Sequence, residues 1–437
     1  MTNKLVRAAV MAALLAPMLH GQGLASRIDG APAGAVVFSF PARPGVCGNG
    51  RSFIQSTNGF YGNYYSGSYI TNGNGDVMRT EACQNGPVRV VVDRAGREVI
   101  SIQTYVGVPV APAPNPSANA TDIGRVSGQQ AADYLLDVAA KGEGRVGRDA
   151  IFPATLADSA ATTARVIAIA KNQALSRDTR RSALSYMNNS VPAGQVLPTS
   201  ATDAIIAIAR DETDNQSVRQ QALSVLARLE HGVGIPALEQ LSKEQGYTWL
   251  AKESIAALSR SGDPRAREFL RTTLQRDDLS DEVQAQVIRS LGQDYSTAQD
   301  AALLRSIYPK LKGDRSRNAV ITSVGEVGGT ENVRWLMDLA RNDTLNSSRR
   351  YSALEAAQRA GVSTAELIKL FDATADQRLK ENVVNLLVRI GDDASINKLV
   401  SIIKSETNYQ LRRNVINRLS GSDDPRIKQA LKDVISR

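Results

Sequence analysis

Two histidines and two cysteines bound the covalent chemistry open to this chain of 437 residues. His20 falls in a segment expected to be removed, so a Ser-His-Asp or Cys-His mechanism has to run through His231. His231, Cys47 and Cys83 together are too few for a tetrahedral Cys/His zinc site within one molecule. Asp277, Asp278 and Asp281 lack the spacing of a calcium-binding EF-hand loop. Asp392-Asp393 and Asp423-Asp424 look like paired catalytic carboxylates, but they sit just before apolar helical runs, where an acid caps a helix. We therefore assign no catalytic residue, no metal and no cofactor, and expect an interaction protein rather than an enzyme.

Two groups of residues are better suited to binding. Arg180, Arg219, Arg317, Arg350, Lys380 and Arg412 recur at one position of a repeating pattern and draw a cationic row. Such a row serves either as a track for a protein partner with an acidic surface or as an internal ladder in which each cation bonds neighbouring carboxylates and helix ends. Tyr61, Tyr64, Tyr65 and Tyr69 stand among Gly and Asn, as in adaptable binding loops with rigid rings between flexible hinges. These rings could stack on an envelope polysaccharide, or cover the first helices as a cap. Nucleic acid is a poor partner: Lys plus Arg exceed Asp plus Glu by only 8 in a chain with 5% aromatic residues.

The elements that place the cationic row are helices in a repeat. Val146, Thr179, Val218, Leu250, Val283, Ser316, Arg349, Leu379 and Leu411 mark successive units of about 32 residues. Four residues on come Ala150, Ala183, Ala222, Ser254, Val287, Val320, Ala353, Val383 and Val415. Five on come Ile151, Leu184, Leu223, Ile255, Ile288, Ile321, Leu354, Val384 and Ile416. Eight on come Ala154, Met187, Leu226, Leu258, Leu291, Val324, Ala357, Leu387 and Leu419. That spacing draws one apolar stripe on a helix. A second column, including Val166, Leu238, Leu270, Leu303, Leu336, Leu399 and Leu431, belongs to a second helix in each unit.

Between the two helices stand Gly-containing turns such as Gly262-Asp263-Pro264 and Gly391-Asp392-Asp393, matching the rules for helix ends. Asp178, Ser217, Asp281, Asp314 and Ser347 are expected caps of the first helices. A lone hairpin cannot hide its stripe, so neighbours must stack. The long interval from Thr179 to Val218 carries a loop insertion at Pro192-Ala193-Gly194-Gln195. Gln129 to Lys141 reads as an extra helix leading into the stack. Trp249 and Trp335 fall where they would pack between units.

Arg219-Gln220-Gln221-Ala222-Leu223-Ser224-Val225-Leu226, Arg412-Arg413-Asn414-Val415-Ile416-Asn417-Arg418-Leu419 and the Gly-Asp turns resemble HEAT repeats. The short period resembles the HEAT-like type also seen in phycobilin lyases. The resemblance implies an α-solenoid, mainly α in class, whose concave face binds partners. It also implies the rival reading, a lyase or isomerase on the same scaffold.

Residues 26–110 read differently. Val88 to Val92 and Glu98 to Val106 alternate around a turn-like Asp93-Arg94-Ala95-Gly96-Arg97, which describes a β-hairpin. Ala35 to Phe40 and Ser52 to Gln55 are further strand candidates, and Asn58 to Asp76 reads as a surface loop. This small β module matches no family we recognise. Residues 111–120 form a Pro/Ala linker, and the solenoid runs over 121–437.

Lys4 and Arg7 precede an apolar stretch, Ala8 to Leu19, followed by the small residues Gly21, Gly23 and Ala25. This is the pattern of a secretory signal peptide over residues 1–25, too short to span a bilayer. Its removal takes the formal charge from +8 to +6, since only Lys4 and Arg7 are lost. The expected location is secreted or periplasmic, where Cys47 and Cys83 would pair in a disulfide.

Overall fold

The computed structural model describes residues 23–50, 54–55, 61–62, 84–107, 120–142, 144–191, 195–244, 248–293 and 295–435. It divides into two compact units, residues 1–234 and 235–437. Residues 1–22 of the expected leader and 111–119 of the expected linker lie outside the described residues, whereas Leu24 and Ala25 begin the helix Leu24–Asp29.

In the first unit a four-stranded sheet runs in the order Glu98–Val106, Val88–Ala95, Val36–Phe40, Thr121–Arg125. The hairpin is as the alternation predicts, with Ala95 opposite Glu98, so its loop is only Gly96-Arg97. Gly96 takes φ 64° there, a conformation that costs glycine little. The strand Thr121–Arg125 corrects the sequence boundary: it lies parallel to Val36–Phe40 and belongs to the sheet, not to the solenoid. Thr121 and Ile123 carry too little alternation to announce a strand on their own. A second sheet of two-residue strands runs Tyr61–Gly62, Ile54–Gln55, Cys47–Gly48, Gln84–Asn85. Tyr61 is therefore in a strand rather than in the expected loop.

The sheet packs on the helix Gly128–Lys141, where the Phe38 ring meets Tyr134 edge-on with centroids 5.9 Å apart. Its edge strand Glu98–Val106 reaches the helix Gly144–Thr155. Backbone bonds join Arg43 N to Leu156 O at 2.9 Å and Asp158 N to Pro41 O at 3.0 Å. The guanidinium of Arg43 donates to the carbonyls of Asn189 and Val191, just before the inserted loop. The β module is thus built into the first helices. Phe38 and the backbone around Arg43 make that join.

The helical stretch begins at Gly128–Lys141, held by a capping box between Ser127 and Gln130. Among the described residues nine first helices then alternate along the chain with nine second helices. Within each unit, first helices pack on first helices, and second on second or on the adjoining first. That is solenoid packing.

All nine residues of the column four past the anchors are fully buried, Ser254 included. In the column five past, Ile416 alone is half-buried, and it lies in the last pair of helices. In the second column Leu303 and Leu431 are half-buried, while their neighbours Leu304 and Ala430 are buried.

The first-helix caps fall one or two residues earlier than expected: Ser176, Asn215, Ser280 and Asn346 accept the bonds. Asp178 lies inside its first helical turn, where an acid still favours the helix N-terminus. Gly313 occupies the cap of Asp314–Val327 and has no side chain to offer. Asp281 supplies it from the preceding first helix, accepting from Arg315 N at 3.1 Å and Ser316 N at 2.9 Å. A Cβ on Gly313 would lie 1.8 Å from that carboxylate.

Candidate functional site

The residue after each anchor emerges on the first helix beside the end of the preceding second helix. Arg180, Arg219 and Arg350 are buried there, at 3%, 9% and 8% exposure. Each donates Nε to the carbonyl of the penultimate residue of the preceding helix. These are Ala170 O at 2.9 Å, Ala209 O at 3.1 Å and Ala340 O at 2.9 Å. A cation at this point satisfies a carbonyl without an intrahelical partner and lies at the negative end of the helix dipole.

The remaining nitrogens reach forward to the next unit. Arg180 grips Asp214 with both Nη atoms, Nη1 to Oδ1 at 2.5 Å, and Arg350 Nη1 meets Asp376 Oδ2 at 2.5 Å. Asp376 also caps its own helix, accepting from Arg378 N and Leu379 N. Burial would raise the Asp376 carboxyl pKa, but the Leu379 N–H and Arg350 outweigh it and hold the group below its ordinary value.

At these three positions the row is the internal ladder. A buried arginine whose donors bond the chain is not offered to a partner. Arg317 is half-buried and gives Nε to Leu311 O at 2.8 Å. Lys380 lies 5.1 Å from the centre of the Phe371 ring, and Arg412 is half-buried.

The neighbouring positions behave differently. Arg181 follows Arg180 directly, yet it is exposed. It lines a cleft of about 300 Å³ with Arg148, Asp178, Ser182, Ser185 and Tyr186, between the first helices Gly144–Thr155 and Arg177–Ser185. Burial pushes the Tyr186 hydroxyl up to about 12, helped by Asp149, so its phenol stays protonated. In the second unit a cleft of about 490 Å³ separates Asp281–Gly292 from Asp314–Val327. Arg289, Arg315, Asn318 and Thr322 line it. Arg148 and Arg181 stand two past their anchors, Arg289 six past, and Arg315 one before, positions that share one helix face. None of the four belongs to the cationic row that the repeat pattern draws. Reading the face opposite the apolar stripe would have found all four.

Tyr64, Tyr65, Tyr69 and Cys83 lie outside the described residues. Cys47 opens the strand Cys47–Gly48, facing Gln55 and Asn85. His231 is exposed, in a left-handed turn at φ 57°. Asp392 and Asp424 accept from Ser395 N at 2.7 Å and Arg426 N at 2.9 Å, so each caps a helix. Trp335 packs on Tyr308 edge-on at 5.2 Å. Among the described residues no group of three or more His, Cys, Asp or Glu is placed to hold a metal ion. Among the same residues no helix is long and apolar enough to cross a membrane.

Residues 202–292 match the family described as HEAT repeats. Residues 202–292 are thus HEAT-like, and the helix pairs before and after them repeat the same buried columns. No curated protein matches the sequence. Among solved structures, human deoxyhypusine hydroxylase in complex with glycerol is 15% identical. The match covers 54% of this chain and 95% of that one, with a TM-score of 0.24. The complex of CpcE and CpcF of phycocyanin lyase from Nostoc sp. is 16% identical, over 63% of this chain and 94% of that one, with a TM-score of 0.22.

Proposed function

We propose that this HEAT-like protein is an exported, non-catalytic scaffold that binds a protein partner through the outward polar face of its first helices. The observation that carries this reading is the divergence of two adjacent residues. Arg180 is spent inside the stack on Ala170 and Asp214, whereas Arg181 opens into a cleft beside Arg148. Arg148 is 42% exposed and Arg315 is 70% exposed. Guanidinium groups held at such a surface suit a partner with carboxylates.

The leader-like residues 1–25 support export, and Cys47 carries no free thiol, which supports its link to Cys83 in an oxidising compartment. An envelope polysaccharide is the alternative ligand, bound through Tyr61, Tyr64, Tyr65 and Tyr69.

Co-purification from the native envelope with the full chain, read by mass spectrometry, tests the proposal. Arg181→Glu should lose the partner by at least about tenfold in yield while the melting temperature holds, because its side chain is exposed. Retention of the partner by this variant would overturn the reading. Capture of polysaccharide by the natural chain, lost on substitution of the four tyrosines, would favour the alternative.

A further inference from the structure

A cavity of about 260 Å³ lies in the second unit at the turn between the helices Thr248–Arg260 and Pro264–Thr273, away from the clefts described above. Its walls include Leu258, Pro264 and Leu270, with Arg267, Arg271 and Tyr295 around them; Asp263 lines it too, its carboxylate paired with Arg265 at 2.6 Å.

Tyr295 is unusual twice over. Its backbone sits in the left-handed region at φ 61°, where a bulky residue is an outlier. Its side chain is also 67% exposed. The ring is held over Gly262, with Cζ 3.4 Å from where a Cβ would stand. Strain of this kind collects at ligand sites.

Behind the cavity the Asp300 carboxylate is completely buried and receives Arg267 Nε at 3.0 Å and Arg271 Nε at 2.8 Å. Burial would raise its pKa, but the bonds from Arg271 and Thr297 outweigh that and keep it ionised. One carboxylate thus faces two guanidinium groups at 12% and 18% exposure. Glu268 meets Arg271 Nη1 at 3.2 Å from a position 64% exposed, where water screens it. Among the described residues no acceptor stands at Arg271 Nη2. A recess walled in part by leucine and proline, an aromatic ring at its mouth and a guanidinium with donor capacity left over are complementary to one kind of molecule. The volume lies below the roughly 300 Å³ at which pockets begin to hold drug-sized ligands, which limits the ligand to a fragment.

We propose that this recess binds a small arylalkyl carboxylate, its ring between Tyr295 and the leucines and its carboxylate on Arg271. Titration of the full chain with 3-phenylpropanoate, its primary amide and acetate, followed by calorimetry, tests the assignment. The carboxylate should bind at one site, about tenfold or more tighter than the amide or acetate. Tyr295→Gly should weaken it about tenfold without lowering the melting temperature, since glycine accepts the left-handed backbone. Arg271→Gln should make the carboxylate and the amide bind alike. Equal binding of carboxylate and amide to the natural chain would overturn the proposal. So would unchanged affinity in Tyr295→Gly, or no saturable binding up to about 10 mM.

Discussion

Arg180 and Arg350 show how a single residue ties three helices. The Nε closes the end of one helix, the side chain springs from a second, and the Nη atoms reach an acid at the head of a third. Removing one member of such a buried pair strands the other charge, at a cost of about 3–5 kcal/mol. Asp214→Ala should therefore shift the urea midpoint of the natural chain strongly downward, whereas Arg181→Ala should stay within about 0.5 kcal/mol. The row of cations was legible in the sequence, and so was the choice between ladder and track. Its outcome was not, because it depends on Ala170, Ala209 and Ala340 presenting carbonyls, and backbone oxygens leave no mark in residue types. Acid supplies a second test at this scale. Asp300 titrates below its ordinary value, so its contribution is complete above about pH 4, the value of an unfolded aspartate. That contribution is lost as the pH falls through the lower folded value. Unfolding free energy measured down to about pH 2 should fall more steeply for the natural chain than for Asp300→Asn.

At the scale of elements, the helices Asp281–Gly292 and Asp314–Val327 share one cap. Asp281 serves the N–H groups of Arg315 and Ser316, and Gly313 leaves room for it. Asp281→Ala should cost about 0.5–2 kcal/mol, as loss of a cap does. Gly313→Ala should cost about 1–3 kcal/mol by forcing the carboxylate aside. Both are readable by thermal melting, and the double variant should fall short of the sum because one interaction is removed twice. Helix positions were clear from the columns of Ala, Val, Ile and Leu. Caps were misplaced by a residue or two because Ser176, Asn215 and Asn346 compete with equally good capping residues downstream. The strand Thr121–Arg125 stayed hidden for a different reason. Its stability comes from pairing with Val36–Phe40, with Val36 opposite Thr121, not from its own pattern.

For the molecule as a whole, what matters is register: the same columns face inward along the first helices, and the polar face beside them stays in water. Stacked repeats draw stability from nearest neighbours, so the register holds or fails in each compact unit separately. Thiol labelling of single-cysteine variants reads it directly. Ala183 and Val320 are completely buried, whereas Arg181 and Asn318, two residues before each, are exposed. In the native protein Arg181→Cys and Asn318→Cys should react at nearly the rate of a free thiol. Ala183→Cys and Val320→Cys should react at least about a hundredfold more slowly, waiting on local opening. Equal rates within either pair would contradict the account.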